Sequence, residues 1–139
     1  MRFMMIVKAS QDSEAGVMPS EELIGAMTKY NEELQKAGVL VALDGLQATS
    51  KGARIKITGG KRTVVNGPFT LTNDLIAGFW IINVKSKEEA VQWALRAPNP
   101  HGDGDTEIEV RRFFELEDFP ESEAVEQARK LQAERSTSK

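Results

Sequence analysis

His101 is the only histidine in this 139-residue chain, and cysteine is absent, so one side chain alone has an unperturbed pKa near neutrality. It sits in Pro98-Asn99-Pro100-His101-Gly102-Asp103-Gly104-Asp105, a stretch of helix and strand breakers. A histidine so placed suits proton transfer, and with Asp103 and Asp105 it offers three donors to a cation, although at no established metal spacing. Set against both is the plainer reading of a solvated loop histidine. Gly102 and Gly104 make the loop mobile, which weakens a preformed site and suits a loop that closes over a ligand. Asp74, ahead of a long apolar run, is a second candidate proton carrier. Glu109 and Arg111 are two residues apart in an alternating segment and so share one strand face. In water they form an ordinary exposed ion pair. In a partly desolvated cleft, Arg111 would grip a carboxylate or phosphate with both arms, and Glu109 would orient it or accept a ligand proton. Trp80 and Trp93 fit core or interface, and Trp80 is the better candidate as a ligand platform.

Other chemistries find no residues. Without cysteine there is no thiolate ligand, thiol nucleophile or disulfide, and the redox compartment is left open. No phosphate-binding glycine loop, nucleophile elbow or paired-histidine helix occurs, and Gly59-Gly60 lacks the flanking spacing of a nucleotide motif. No cofactor and no resident metal are therefore expected. With 18 basic and 21 acidic residues the net charge is −3, so no direct binding of nucleic acid is expected. The cluster Lys51, Arg54, Lys56, Lys61 and Arg62 is read as a solvated hairpin face, with an anion-binding patch as the lesser alternative. No apolar stretch reaches the roughly 20 residues of a membrane helix, and Met1 to Lys8 lacks a cleavage pattern, so cytoplasm is the expected location.

The elements that must position these residues are legible from patterning. Met1 to Lys8 reads as the first strand, followed by a loop from Ala9 to Pro19. Ser20-Glu21-Glu22 starts a helix with a capping hydroxyl and two acids at the positive end of its dipole. Its core stripe is Leu23, Met27, Tyr30 and Leu34, and Gly38 stops it. Val39 to Leu46 is a strand in which Asp44-Gly45 marks a bulge or bend. Arg54 to Thr58 and Arg62 to Val65 flank Gly59-Gly60 as a half-exposed hairpin. Leu75 to Val84 is apolar almost throughout, as a central strand buried on both faces would be. Ser86 and Glu89 form a capping box for a second helix that runs to about Ala97, and Thr106 to Phe114 is the last strand.

Strand, helix, strand, hairpin, strand, helix, strand is a ferredoxin-like α+β layout with an added β-hairpin. Two helices cover one sheet face; the other, with Phe3, Met5 and Val7 or their neighbours, is left partly apolar and calls for a partner. A homodimer is expected. From Asp118 the chain turns polar, and Glu121 to Arg135 reads as an amphipathic helix against the body or a partner, with a frayed Ser136-Thr137-Ser138-Lys139 end. The division is a domain over residues 1–119 and a helical tail over 120–139.

The corner Asn66-Gly67-Pro68-Phe69-Thr70, with Gly78-Phe79 and Ile108-Glu109-Val110-Arg111 beyond it, resembles the YCII-related family and its Asp-Gly-Pro-Phe signature over about residues 1–119. The resemblance implies a ferredoxin-like domain that pairs through its sheets into a dimeric α/β barrel with a cleft. Some members of that family are proposed small-molecule enzymes using a His-Asp pair, and some accompany transcription sigma factors. The family signature runs Asp-Gly-Pro-Phe, a residue, Glu, a residue, Lys, Glu, where this chain has Asn66, Leu71, Asn73 and Asp74 at the polar positions, and only Asp74 keeps its charge type. Asn66 accepts hydrogen bonds but is no carboxylate base, so the corner reads as structural. The combined expectation is a homodimeric barrel binding a small polar or anionic metabolite through Asn66, Phe69, Thr70, Trp80, Glu109 and Arg111. One alternative is a cofactor-free lyase or isomerase using His101 or Asp74 as proton carrier and Arg111 as anchor. Another is a non-enzymatic module serving a sigma-factor-associated regulatory partner through the C-terminal segment.

Overall fold

The computed structural model describes residues 1–137. Its sheet has four antiparallel strands in the order β2, β5, β1, β6: β1 is Arg2–Lys8, β2 Leu40–Gly45, β5 Ile76–Asn83 and β6 Ile108–Arg112. β3 (Ala53–Thr58) and β4 (Lys61–Asn66) form a separate two-stranded sheet, inserted in the chain between β2 and β5. Four helices complete the fold: α1 (Gln11–Glu14), α2 (Glu21–Lys36), α3 (Lys87–Arg96) and α4 (Glu123–Thr137). The ferredoxin-like α+β order with its added hairpin is the one the sequence predicts.

Local chemistry explains the boundaries. The Ser20 and Ser86 hydroxyls accept the main-chain N–H of Leu23 and Glu89, each meeting one of the donors a helix start leaves unpaired. The Glu89 carboxylate reaches past Ser86 to the N–H of Lys85, so the predicted box closes one residue early. Gly38 leaves α2 at a φ of 74°, and Gly59 and Gly60 turn the hairpin at 57° and 79°, conformations closed to most side chains.

The core lies between the sheet and α2 and α3. Phe3, Met5 and Val7 of β1 and Trp80 and Ile82 of β5 meet Tyr30, Leu34 and Ala90. The Tyr30 and Trp80 rings pack edge to face at 5.3 Å, and the Tyr30 hydroxyl donates to the Trp93 carbonyl at 2.6 Å. Burial pushes the Tyr30 pKa up to about 12, although the nearby Arg96 charge pulls it the other way.

Several local expectations are corrected. β5 is not buried on both faces: Gly78, Trp80 and Ile82 are buried toward the helices, whereas Phe79 and Ile81 on the other side are only half-buried, because α2 and α3 pack on the opposite face. The open face of β1 carries Met4 and Ile6, the neighbours of Phe3, Met5 and Val7. The irregularity in β2 falls between Leu40 and Ala42 rather than at Asp44-Gly45. The hairpin is exposed on both faces, not one. The loop after β1 contains α1, whose Ser10 and Ser13 cap one another. α4 is helical through Thr137, past the expected onset of fraying at Ser136, but buries no residue; only Val125, Ala128 and Arg129 are half-buried, so its apolar face is weak. Ser138 and Lys139 lie outside the described residues.

Candidate functional site

A cleft of about 1350 Å³ opens at the end of the sheet where β1 and β2 finish and β5 begins. Its floor is Val7, Leu43 and the segment from Ala77 to Trp80; the first turns of α2 and the α1 segment form one wall, and residues 98–103 form another. Three local devices shape it. Gly45 stands opposite Gly78 in the β2–β5 pair, and a Cβ on Gly78 would come within 2.9 Å of the Asp44 carbonyl oxygen, so only glycine lets the two strands approach this closely here. The Trp80 indole N–H donates to Asn31 Oδ1 at 2.7 Å, tying β5 to α2 beside the cleft. Glu14 accepts the main-chain N–H of Thr49 at 2.9 Å and also its hydroxyl, joining α1 to the turn Thr49–Lys51 that follows β2.

His101 belongs to this cleft. Its Nε2 lies 2.6 Å from the Lys8 carbonyl oxygen at the end of β1. A carbonyl only accepts, so the ring donates Nε2–H there, and in the neutral tautomer this selects, Nδ1 is the accepting nitrogen. The loop is organised by Asn99, which the sequence reading missed. Asn99 Oδ1 accepts the His101 N–H at 3.0 Å, Nδ2 donates to the Gly104 carbonyl at 3.0 Å, and its own carbonyl accepts the Gly102 N–H at 3.0 Å. The loop is thus a hydrogen-bonded turn. An asparagine between two prolines was the signal, since such side chains commonly bond to main chain a few residues on.

The remaining candidates do not converge with His101. Trp80 reaches the cleft, though the residue is buried and serves the core as well. Glu109 and Arg111 sit on β6 opposite Ile6 and Met4, on the helix-free face. Glu109 bonds Lys8 Nζ at 2.9 Å and meets Arg111 Nε at 3.7 Å, so the expected Glu109–Arg111 pair is a triad led by the almost fully buried Lys8. The Lys8 hydrogen bond and charge hold the Glu109 carboxyl below its ordinary value. Asn66, Phe69 and Thr70 lie at the root of the hairpin. There Arg54 stacks 3.8 Å from the Phe69 ring, and the Phe69 N–H donates to Thr49 Oγ1 at 3.0 Å. Asp74 is exposed in the turn before β5, its N–H on Thr72 Oγ1. None of Asn66, Phe69, Thr70, Asp74, Glu109 or Arg111 lines the cleft. Among the described residues no three histidine, aspartate or glutamate side chains are grouped to hold a metal, and no helix is long and apolar enough to cross a membrane.

The charge of the lining is acidic. Among the described residues Asp12, Glu22, Asp44 and Asp103 face the cleft without an ion-pair partner, Glu14 is held by Thr49, and Lys51 is the only lysine or arginine there. An arrangement of this kind favours neutral or cationic groups over anions.

A four-stranded antiparallel sheet in ferredoxin-like order, with helices on one face and an open cleft at one end, defines a ferredoxin-like α+β domain, which by itself fixes no reaction. The chain belongs to the YCII-related domain family, whose model matches residues 1–114. It is also 28% identical over 113 residues to an uncharacterised protein of Rhizobium meliloti (strain 1021), a match covering 80% of this chain and 86% of the relative.

Proposed function

We propose that the cleft binds a small polar molecule, with His101 and Trp80 among the groups that meet it. The observation that carries this reading is the cleft itself, where apolar Leu23, Met27 and Leu43 and the Trp80 edge stand beside a loop-held imidazole and unpaired carboxylates. Apolar walls with a few convergent polar groups are the usual composition of ligand sites. The acidic lining selects a neutral or basic polar group, so the anionic ligand suggested by Arg111 gives way to a hydroxyl- or amine-bearing one. A thermal-shift screen tests it: amines and polyols raise the melting temperature, simple carboxylates do not, and His101→Ala or Leu43→Trp abolishes the rise. A rise that survives both substitutions contradicts the site.

The His101 geometry favours a second, catalytic use of the same cleft. With Nε2–H committed to the Lys8 carbonyl, Nδ1 can take a proton from a bound substrate and return it, as a cofactor-free isomerase or lyase requires. Turnover unchanged in His101→Ala removes the imidazole from the reaction. The domain acts as a homodimer in this reading, paired through the helix-free sheet face, where Met4, Phe79 and Ile81 are half-buried with no helix over them and Ile6 lies between. Arg111 and the Lys8–Glu109 pair border that face and would set its register.

A further inference from the structure

The β3–β4 hairpin is a bare arm. All 12 residues of its strands are exposed, and it makes no substantial packing with any other strand or helix. An isolated two-stranded hairpin is marginal in water, and this one presents Ile55, Ile57 and Val64 on one face at 56%, 60% and 62% exposure. Its charge is one-sided. Arg54, Lys56, Lys61 and Arg62 lie on its strands, and none of the 21 acidic residues does. Among the described residues no carboxylate pairs with any of these four cations.

The complementary charge is at the cleft, where Asp12, Glu22, Asp44 and Asp103 are equally unpaired. The arm cannot fold back onto the cleft of its own chain. Its root is locked by Glu14 on Thr49, by the Phe69 N–H on Thr49 Oγ1 and by the Gly67 N–H on the Gly52 carbonyl at 3.0 Å. The packing there is so close that a Cβ on Gly67 would fall 1.8 Å from the Thr49 carbonyl oxygen. From this root the arm projects about 20 Å at the usual rise per strand residue.

We propose that the hairpin is an exchange arm: it lies on a second copy of this chain, covering Ile55, Ile57 and Val64 and bringing its cations to the carboxylates around that copy's cleft. The inference rests on the homodimer in the reading above and adds that each cleft is rimmed by the arm of the other subunit. Unpaired charges of opposite sign on one chain, barred from meeting within it, are neutralised between two copies.

The test uses the full chain. Sedimentation equilibrium should give a dimer that the double substitution Ile57→Asp with Val64→Asp weakens by at least about tenfold. Both positions are exposed, so the unfolding transition of the variant keeps its two-state shape. Zero-length carbodiimide coupling of a mixture of ¹⁴N- and ¹⁵N-labelled chains should join Lys56 or Lys61 to Asp12, Glu22, Asp44 or Asp103 in mixed-isotope pairs. A dimer unaffected by the arm substitutions yet broken by Met4→Asp overturns the arm and leaves the sheet-face dimer standing. Couplings confined to single-isotope pairs overturn it as well. A chain monomeric at every concentration removes the dimer and the arm together, and arm-dependent binding of duplex DNA with an unaltered dimer reassigns the arm to nucleic acid.

Discussion

The His101 imidazole and the Lys8 main chain are joined 93 positions apart in sequence: Nε2 meets the Lys8 carbonyl oxygen at 2.6 Å, while the Lys8 side chain turns to Glu109. One residue at the end of β1 therefore orients the only imidazole and anchors the polar cluster of β6. Replacing His101 by asparagine, which can donate to the same carbonyl but offers no imidazole base, should keep the loop and lose proton transfer. Loop retention is read from the amide spectrum around Gly102 and Gly104. Turnover equal in His101→Asn and the parent would exclude a basic role.

Trp80→Phe tests the tie between β5 and α2. The ring stays in the core, but Asn31 Oδ1 loses its donor, and a part-buried acceptor left bare costs about 1–3 kcal/mol. Chemical denaturation should register that loss. Asn31→Leu in the Trp80→Phe background removes the stranded amide and should recover part of it.

Glycine at 67 is set by backbone proximity rather than by its φ angle. Gly67→Ala drives a methyl group into the Thr49 main chain, which cannot rotate away, and should destabilise by about 1–3 kcal/mol. Gly25→Ala meets nothing within 4 Å and, inside α2, should stabilise by about 0.5–1 kcal/mol. Equal melting temperatures for the two would contradict the close approach of the hairpin root.

Two ionisations contribute to the pH dependence of stability. Glu109 is held below its ordinary value of 4.5, first by the Lys8 hydrogen bond and then by the Lys8 charge. The unfolded chain therefore binds more protons in acid, and the contribution of the pair is present above pH 4.5 and lost as pH falls through the lower folded value. Glu109→Gln should flatten this acid limb. Tyr30, raised to about 12 by burial, behaves oppositely: its contribution is whole below its ordinary value of 10.0 and disappears as pH rises toward 12. Tyr30→Phe should flatten the alkaline limb, and absorbance at the phenolate band should show Tyr30 of the folded chain ionising toward 12 rather than at 10.0.

Most of the fold was legible because its signals are local. Ser20, Ser86, Gly38 and Gly59-Gly60 mark boundaries through bonds and angles within a few residues, and the stripe through Tyr30 and Leu34 marks the face toward the sheet. The site was less legible because its determinants are distant in the chain. Nothing near Lys8 announces His101, and nothing near Glu14 announces Thr49, 35 residues on. Alternation puts Glu109 and Arg111 on one face, but only register shows that Lys8 takes the stronger bond. The apolar run of β5 suggested burial on both sides, since composition alone does not tell a covered face from one awaiting a partner.

Native mass spectrometry after incubation with a filtrate of small cellular metabolites tests the central claim most directly, comparing the parent chain with Leu43→Trp, whose added ring intrudes on the cleft floor beside Trp80. The account predicts a dimer carrying one defined extra mass per subunit in the parent and a bare dimer in Leu43→Trp. A parent chain that takes up nothing, or an adduct that persists undiminished in the blocked variant, would contradict it.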